Sequence, residues 1–236
     1  MKRKLNKKDI LKYLEEINKK LAERGKFGEI MICGGAVMTL IYEARNSTHD
    51  IDAIFRPRED MKEIIDEITR ENNLNSQWLN DDVAMFTKEF KNLTSSEYKR
   101  FSNLTVTILD AESLLAMKLV SARENTYDLG DAAILMKYLN IQNIDEVYAL
   151  LEKYEFPLHP TALNESKMFA RQAYKEYISR IDLEKAVCNE QKSITAKEKT
   201  TLTDRLDKAK KKVAAQKSER QNNQTSRTSK NDTELD

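Results

Sequence analysis

Residues 30–55 read IMICGGAVMTLIYEARNSTHDIDAIF. The apolar run Ile30-Met31-Ile32-Cys33 has the length and composition of a buried strand. Gly34-Gly35 follows, then an apolar stretch of helical length from Ala36 to Ala44. Asn46-Ser47-Thr48 breaks that helix in a polar turn, and Asp50-Ile51-Asp52-Ala53-Ile54-Phe55 closes the stretch as a second strand. Side chains alternate along a strand, so Asp50 and Asp52 face the same side, about 6.6 Å apart along its axis. Two carboxylates in an otherwise hydrophobic strand are costly to bury. A divalent metal ion is the simplest compensation.

Working outward, the preceding segment Lys7 to Arg24 is predicted to be an amphipathic helix, with Ile10, Leu14, Ile17 and Leu21 at helical spacing. Asn6 can cap its start and Gly25 can end it. Glu29 to Cys33 is the first strand. Beyond Phe55, Arg56-Pro57-Arg58 ends the second strand, because proline cannot continue an internal ladder. Met61 to Glu71 is a second amphipathic helix. A polar stretch from Asn75 to Asp82 holds Trp78, the one tryptophan. Val83 to Phe86 is predicted as a short strand, and Lys88 to Asn103 as a loop or broken hairpin. Leu104 to Leu109 alternates Thr with apolar residues, a strand with one buried face. Helices follow over Ala111–Ala122, Asp128–Leu139 and Ile144–Tyr154. Pro157 and Pro160 bracket a loop before a last helix, Thr161–Ala186. The fold class is α/β of the α+β kind: a small mixed β-sheet flanked by helices, with a helical C-terminal half.

The domain organisation expected is a first domain over 1–157, a helix over 158–187 packing on it, and a charged, flexible or partly helical tail over 188–236. Lys197 to Lys217 can form a helix, while Ser218 to Asp236 has too few apolar residues to fold alone. The 236 residues include only five Gly and three Pro, with 33% charged, which suits a helix-rich domain with few long loops. The net charge of +1 gives no global pull toward nucleic acid or membrane. Lys2, Arg3, Lys4, Lys7 and Lys8 make a basic start, but no apolar segment follows as in a signal peptide. No run reaches transmembrane length. Cys33 and Cys188 lie far apart without C-x-x-C spacing, as expected of reduced thiols in a cytoplasmic protein.

The chemistry converges on the opening stretch. Oxygen ligands without a nearby His or Cys cluster suit Mg²⁺ or Mn²⁺ rather than zinc. Gly34 and Gly35 sit where a strand meets a helix N-terminus, a place that attracts phosphate, and the missing Cβ admits close approach to the backbone. Arg45 and Ser47 either hold substrate or brace the turn. Trp78 reads as a core anchor rather than a platform for a base, and His49, on the opposite side of the strand from Asp50, as structural. Lys118 follows Leu114 and Leu115 at helical spacing and so lies beside an apolar face, its head either functional or reaching solvent. Asp128 and Asp131 share one helix face. Arg123 can bind phosphate or pair with either.

The ordered set of apolar strand, Gly-Gly, helix, Ser/Thr turn and Asp-x-Asp strand resembles the nucleotidyltransferase-fold superfamily, which includes DNA polymerase β, kanamycin-type adenylyltransferases and tRNA CCA-adding enzymes. ARNSTHDIDAIF, WLNDDV and LDAESLLAMKLVSARENTYDLGDAAIL narrow the resemblance to a small bacterial family of uncharacterised nucleotidyltransferase-like proteins, related to abortive-infection toxins of the AbiEii type and to mycobacterial nucleotidyltransferase toxins. The similarity spans Gly28 to Leu151. It implies an enzyme with Asp50 and Asp52 on Mg²⁺ and Gly34 and Gly35 at phosphate. Lys118 and Asp131 match the Lys and Asp that complete the toxin site, Lys118 on phosphate and Asp131 positioning or activating the acceptor. One departure stands out. Where polymerase β-like enzymes carry a third acid on a later strand, this chain has Thr105 and Thr107, with Asp110 only at the strand's end. Asp81 or Asp131 is then the candidate to supply that charge.

The function expected is Mg²⁺-dependent transfer of an NMP from an NTP such as ATP to a hydroxyl on RNA (tRNA, for example), protein or a small molecule, in a toxin-like or phage-defence setting with a cognate antitoxin as partner. The alternatives are a catalytically inactive nucleotide- or partner-binding module of the same fold, and an RNA-binding protein acting through its basic N-terminus and tail.

Overall fold

In the computed structural model, which describes residues 4–121, 127–154, 156–157 and 159–228, a capping box opens the first helix. The Asn6 side chain accepts from the Asp9 N–H at 3.0 Å, and the Asp9 carboxylate accepts from the Asn6 N–H at 3.2 Å, so two of the helix's orphan donors are satisfied. That helix, α1 (Lys7–Glu23), leads into β1 (Gly28–Ile32), α2 (Gly34–Leu40), β2 (Ile51–Arg56) and α3 (Arg58–Glu71). Then come β3 (Leu79–Asn80), α4 (Val83–Thr87), β4 (Ser95–Arg100) and β5 (Leu104–Leu109). Helices α5 (Ala111–Ser121), α6 (Asp128–Tyr138), α7 (Ile144–Lys153) and α8 (Pro160–Thr228) complete the chain.

The five strands form one mixed sheet in the order β3-β2-β1-β5-β4. β1 runs antiparallel to β2 and parallel to β5, β3 is parallel to β2, and β4 is antiparallel to β5. Register explains the two faces. Ile32 pairs with Ala53 and Ile108, and Ile30 with Phe55 and Val106; all six are buried. A Cβ at Gly28, on this same face, would meet Met61 of α3 and Leu21 of α1, so α1 and α3 cover it. Each Ile or Leu that α1 buries here contributes roughly 1.5–3 kcal/mol, whereas rim pairs such as Arg24–Glu67 at 2.7 Å add little. The other face carries Met31, Asp52, Ile54, Thr105 and Thr107, all only partly buried. This is the face that opens onto the site.

Trp78 is a core anchor. It is 2% exposed, its ring centroid lies 5.1 Å from that of Tyr13, and its Nε1 donates to Thr69 Oγ1 at 2.8 Å. Several boundaries move from those predicted. Helix α2 begins at Gly34 and ends at Leu40, so both glycines belong to its first turn. The polar stretch after Asn92 closes a hairpin, with β4 pairing against β5. Val83–Phe86 is not a strand but part of helix α4. The edge strand is instead Leu79–Asn80, paired to Ile51 and Asp52. Asn80 Oδ1 then accepts from the Asp82 N–H at 3.1 Å and turns the chain out of the sheet. A four-residue apolar run suits either state, and only the pairing of its neighbours decides.

The chain divides into two compact units, Met1–Ser179 and Arg180–Asp236. Within the first, α8 buries Ala170, Ala173 and Tyr177, and the Tyr177 hydroxyl donates to the Ile141 carbonyl at 3.0 Å. In the second, helix continues to Thr228, past the predicted end at Ala186, and Leu183, Val187 and Leu206 are exposed.

Candidate active site

The turn from β1 into α2 is built around one contact. Gly34 has φ +61°, a left-handed value, and a Cβ there would lie 2.9 Å from Asp52 Oδ2. Both facts demand glycine. The Cys33 N–H donates to the Asp52 carbonyl at 2.8 Å, locking the start of α2 to β2. A Cβ on Gly35 would come within 3.1 Å of Arg45 Nη1 and 3.2 Å of Thr48 Oγ1. Thr48 is itself held by paired backbone bonds with Leu5, at 2.7 and 2.9 Å. The glycine pair thus touches the acidic strand on one side and the Arg45–Thr48 turn on the other.

Helices α5 and α6 supply the opposite charges. Lys118 is 5% exposed; its Nζ donates to Asp128 Oδ1 at 2.9 Å and pairs with Asp131 Oδ2 at 2.7 Å. It therefore does not reach past the apolar face to bulk solvent. Arg45 Nε donates to Asp131 Oδ1 at 3.0 Å, and Arg45 Nη2 donates to Asp131 Oδ2. The guanidinium also lies 4.8 Å from the Tyr127 ring centroid. Buried charges need such pairing and hydrogen bonding to be tolerated.

These groups border a cleft of about 590 Å³, within the range of small-ligand sites. Gly34, Gly35, Arg45, Asp50, Asp52 and Lys118 line it. So do Thr48, Asp82, Ser121 and Asp128, together with the apolar Val83, Phe86, Leu114 and Met117. Asp131 lies behind Lys118 and Arg45, at 3% exposure. Ser47 is not among the lining residues, its neighbour Thr48 taking that place, and Arg123 lies outside the described residues. Asp110 borders a different recess, with Tyr42 and Tyr138. Asp81 turns away to Arg58, whose Nη2 donates to it at 3.2 Å; that hydrogen bond holds the Asp81 carboxyl below its usual range. The acid that does reach the cleft is Asp82, which sequence reasoning missed. Its only signal was its place in WLNDDV, and side-chain direction after an edge strand is not readable from the pattern.

A family model described as "Nucleotidyltransferase of unknown function (DUF6036)" matches residues 8–182. The chain belongs to this nucleotidyltransferase family. Neither the curated proteins nor the solved structures gave a match. The matched span closely follows the first compact unit, and every residue lining the cleft falls within it.

The donor set of this nucleotidyltransferase suits a hard divalent ion. Four carboxylates line the cleft, on Asp50, Asp52, Asp82 and Asp128, against two cations, Arg45 and Lys118. A polyphosphate entering that excess of negative charge needs a cation to accompany it. Among the described residues no group of three or more His, Cys, Asp or Glu gathers as a metal cage. Mg²⁺ is commonly held by one or two carboxylates plus substrate phosphates. Cys33 is no competitor, since burial, aided by the Asp52 charge, pushes its thiol up to about 12. No helix among the described residues is long and apolar enough to cross a membrane.

Proposed function

We propose that the cleft binds a nucleoside triphosphate with Mg²⁺ or Mn²⁺ and transfers its NMP to a hydroxyl acceptor. The observation that carries this is the meeting of Gly34, Gly35, Asp50 and Asp52, from the first sixty residues, with Lys118 from α5 on one cleft. Asp50 and Asp52 would hold the metal. Bound there, the metal would neutralise charge on the α-phosphate and the leaving pyrophosphate. Gly34 and Gly35 leave room for phosphate against the backbone. Lys118 and Arg45 supply fixed positive charge. The acceptor oxygen bonds to the α-phosphorus, the bond from that phosphorus to the bridging oxygen breaks, and pyrophosphate leaves. Asp128, which faces the cleft, takes or orients the hydroxyl proton. Asp131, buried behind Lys118 and Arg45, positions both.

The toxin resemblance over Gly28 to Leu151 favours RNA, with tRNA as one acceptor, a cytoplasmic setting and a cognate antitoxin as partner. Incubating the full chain with labelled NTPs, Mg²⁺ and total RNA tests the reading. Transfer that is lost in Asp50→Ala and Asp52→Ala, and in the presence of chelator, is the expected result. NTP binding with no transfer to RNA, protein or small hydroxyl compounds sinks it in favour of an inactive binding module. The observation that favours that second reading is on β5: Thr105 and Thr107 stand on the Asp52 face of the sheet, where a third acid would strengthen a metal site.

A further inference from the structure

The cleft has two unlike sides. Its charged side is described above, and its other side is apolar, formed by Val83 and Phe86 of α4 with Leu114 and Met117 of α5. Among the described residues lining the cleft, Phe86 is the one aromatic. It is half-buried, and its ring packs against two other aromatic rings. Phe90 lies nearly perpendicular to it, at 78° and 5.1 Å between centroids, and Phe156 lies tilted, also at 5.1 Å. Phe90 is itself buried, so the ring is braced before any ligand arrives. The helical state of α4 matters here. Val83 and Phe86, three apart, fall on one helix face, and both line the cleft, while Met85 between them is 73% exposed. A strand would have put Val83 and Phe86 on opposite sides.

We propose that Phe86 is the platform on which the nucleobase of the bound triphosphate stacks, with Val83 and Met117 completing an apolar base subsite. This inference rests on the nucleotide reading of the cleft. A triphosphate drawn to the Gly34–Asp52 side carries a flat, weakly polar base at its other end, and the apolar side of the same cleft is what remains to receive it. A braced aromatic ring offers a π-face to any base without first losing rotamer freedom.

The test measures binding of ATP, GTP, CTP and UTP to the full chain with Mg²⁺, and of inorganic tripolyphosphate, which has the phosphates but no base. Phe86→Leu keeps an apolar side chain and removes the π-face, and Phe86→Trp keeps a π-face. The expected result is about tenfold weaker NTP binding in Phe86→Leu, near wild-type binding in Phe86→Trp, and unchanged tripolyphosphate binding in both. Equal weakening of NTP and tripolyphosphate in Phe86→Leu overturns the proposal in favour of a structural role. NTP binding untouched by Phe86→Leu overturns it as well, since the base then sits elsewhere. Wild-type protein that binds neither NTP nor tripolyphosphate overturns the nucleotide reading itself, a result distinct from the other two.

Discussion

Arg45 grips Asp131 with two donors across 86 residues of sequence. Asp131 is almost wholly buried, and its second cation is Lys118. The turn before the acidic strand and the first turn of α6 are thereby joined by charge. Removing one partner of such a pair leaves a buried charge under-compensated, at a cost of about 3 kcal/mol. Arg45→Ala should lose roughly that much stability in urea unfolding. Arg45→Lys should recover less than half of it, because an ammonium cannot reproduce the two-pronged contact. A loss below about 1 kcal/mol in Arg45→Ala would show the pair to be dispensable for the fold.

Gly34 and Gly25 make a matched pair of probes. Both have left-handed φ, +61° and +62°, but a Cβ at Gly25 meets nothing within 4 Å, while one at Gly34 meets Asp52 Oδ2. Alanine at either site should cost about 1–2 kcal/mol in backbone strain. Only Gly34→Ala should also displace the Asp52 carboxylate and abolish metal-dependent transfer. Equal transfer by the two variants would argue that the Gly34–Asp52 contact has no part in the reaction.

Lys118→Met keeps the stem and removes the charge. Asp131 retains Arg45, so the fold should survive, as judged by circular dichroism and a cooperative melt. Transfer should fall by about 100-fold or more, the scale of losing one fixed donor to a transition-state oxygen. A rate within about threefold of wild type would exclude Lys118 from the reaction.

The two cysteines should separate cleanly toward a thiol reagent. Cys188 is exposed and Cys33 is buried, with its thiol pushed up to about 12. At about pH 8 one thiol should react at once and the second only on unfolding. The neutral Cys33 thiol also sets a sign for alkaline stability. Its folded pKa is raised, so its contribution is whole below the unfolded value of about 8.5 and is lost as pH rises toward the folded one. Cys33→Ser should show a smaller alkaline loss than wild type.

The Arg58–Asp81 pair sets the opposite sign at acid pH. Arg58 holds the Asp81 carboxyl below its usual range, so this stabilisation is present above the unfolded value of about 3.9 and disappears as pH falls through the folded value. Asp81→Asn should therefore be less stable than wild type at about pH 6, with the gap narrowing as pH falls below the unfolded value of about 3.9. Because Arg58 is largely exposed, the gap should also shrink in high salt. A gap that stays constant down to about pH 3 would assign the effect to packing instead.

Local pattern fixed much of this nucleotidyltransferase. Helical spacing marked Ile10, Leu14, Ile17 and Leu21 as the buried stripe of α1, and alternation set Asp52 opposite the buried Ile51 and Ala53. The Gly-Gly and Asp-x-Asp segments could be read as one site because they are close in sequence and each follows from a backbone period. Trp78 fell in the core, where a large ring with one donor finds both apolar contact and a partner. What the sequence could not reach were relations that depend on how distant elements pack. Whether Val83–Phe86 became strand or helix turned on Leu79–Asn80 taking the edge of the sheet. Whether Lys118 was a solvated head or a buried cation turned on α6 bringing Asp128 and Asp131 to it. That Asp82, not Asp81 or Asp110, would reach the cleft turned on their surroundings: Arg58 draws Asp81 aside, Asn80 Oδ1 accepts from the Asp82 N–H, and Asp110 falls beside another recess. Periodicity records which face a residue takes on its own element; which charge meets which across the fold is set only when those faces pack, since Coulomb attraction depends on distances no local pattern contains.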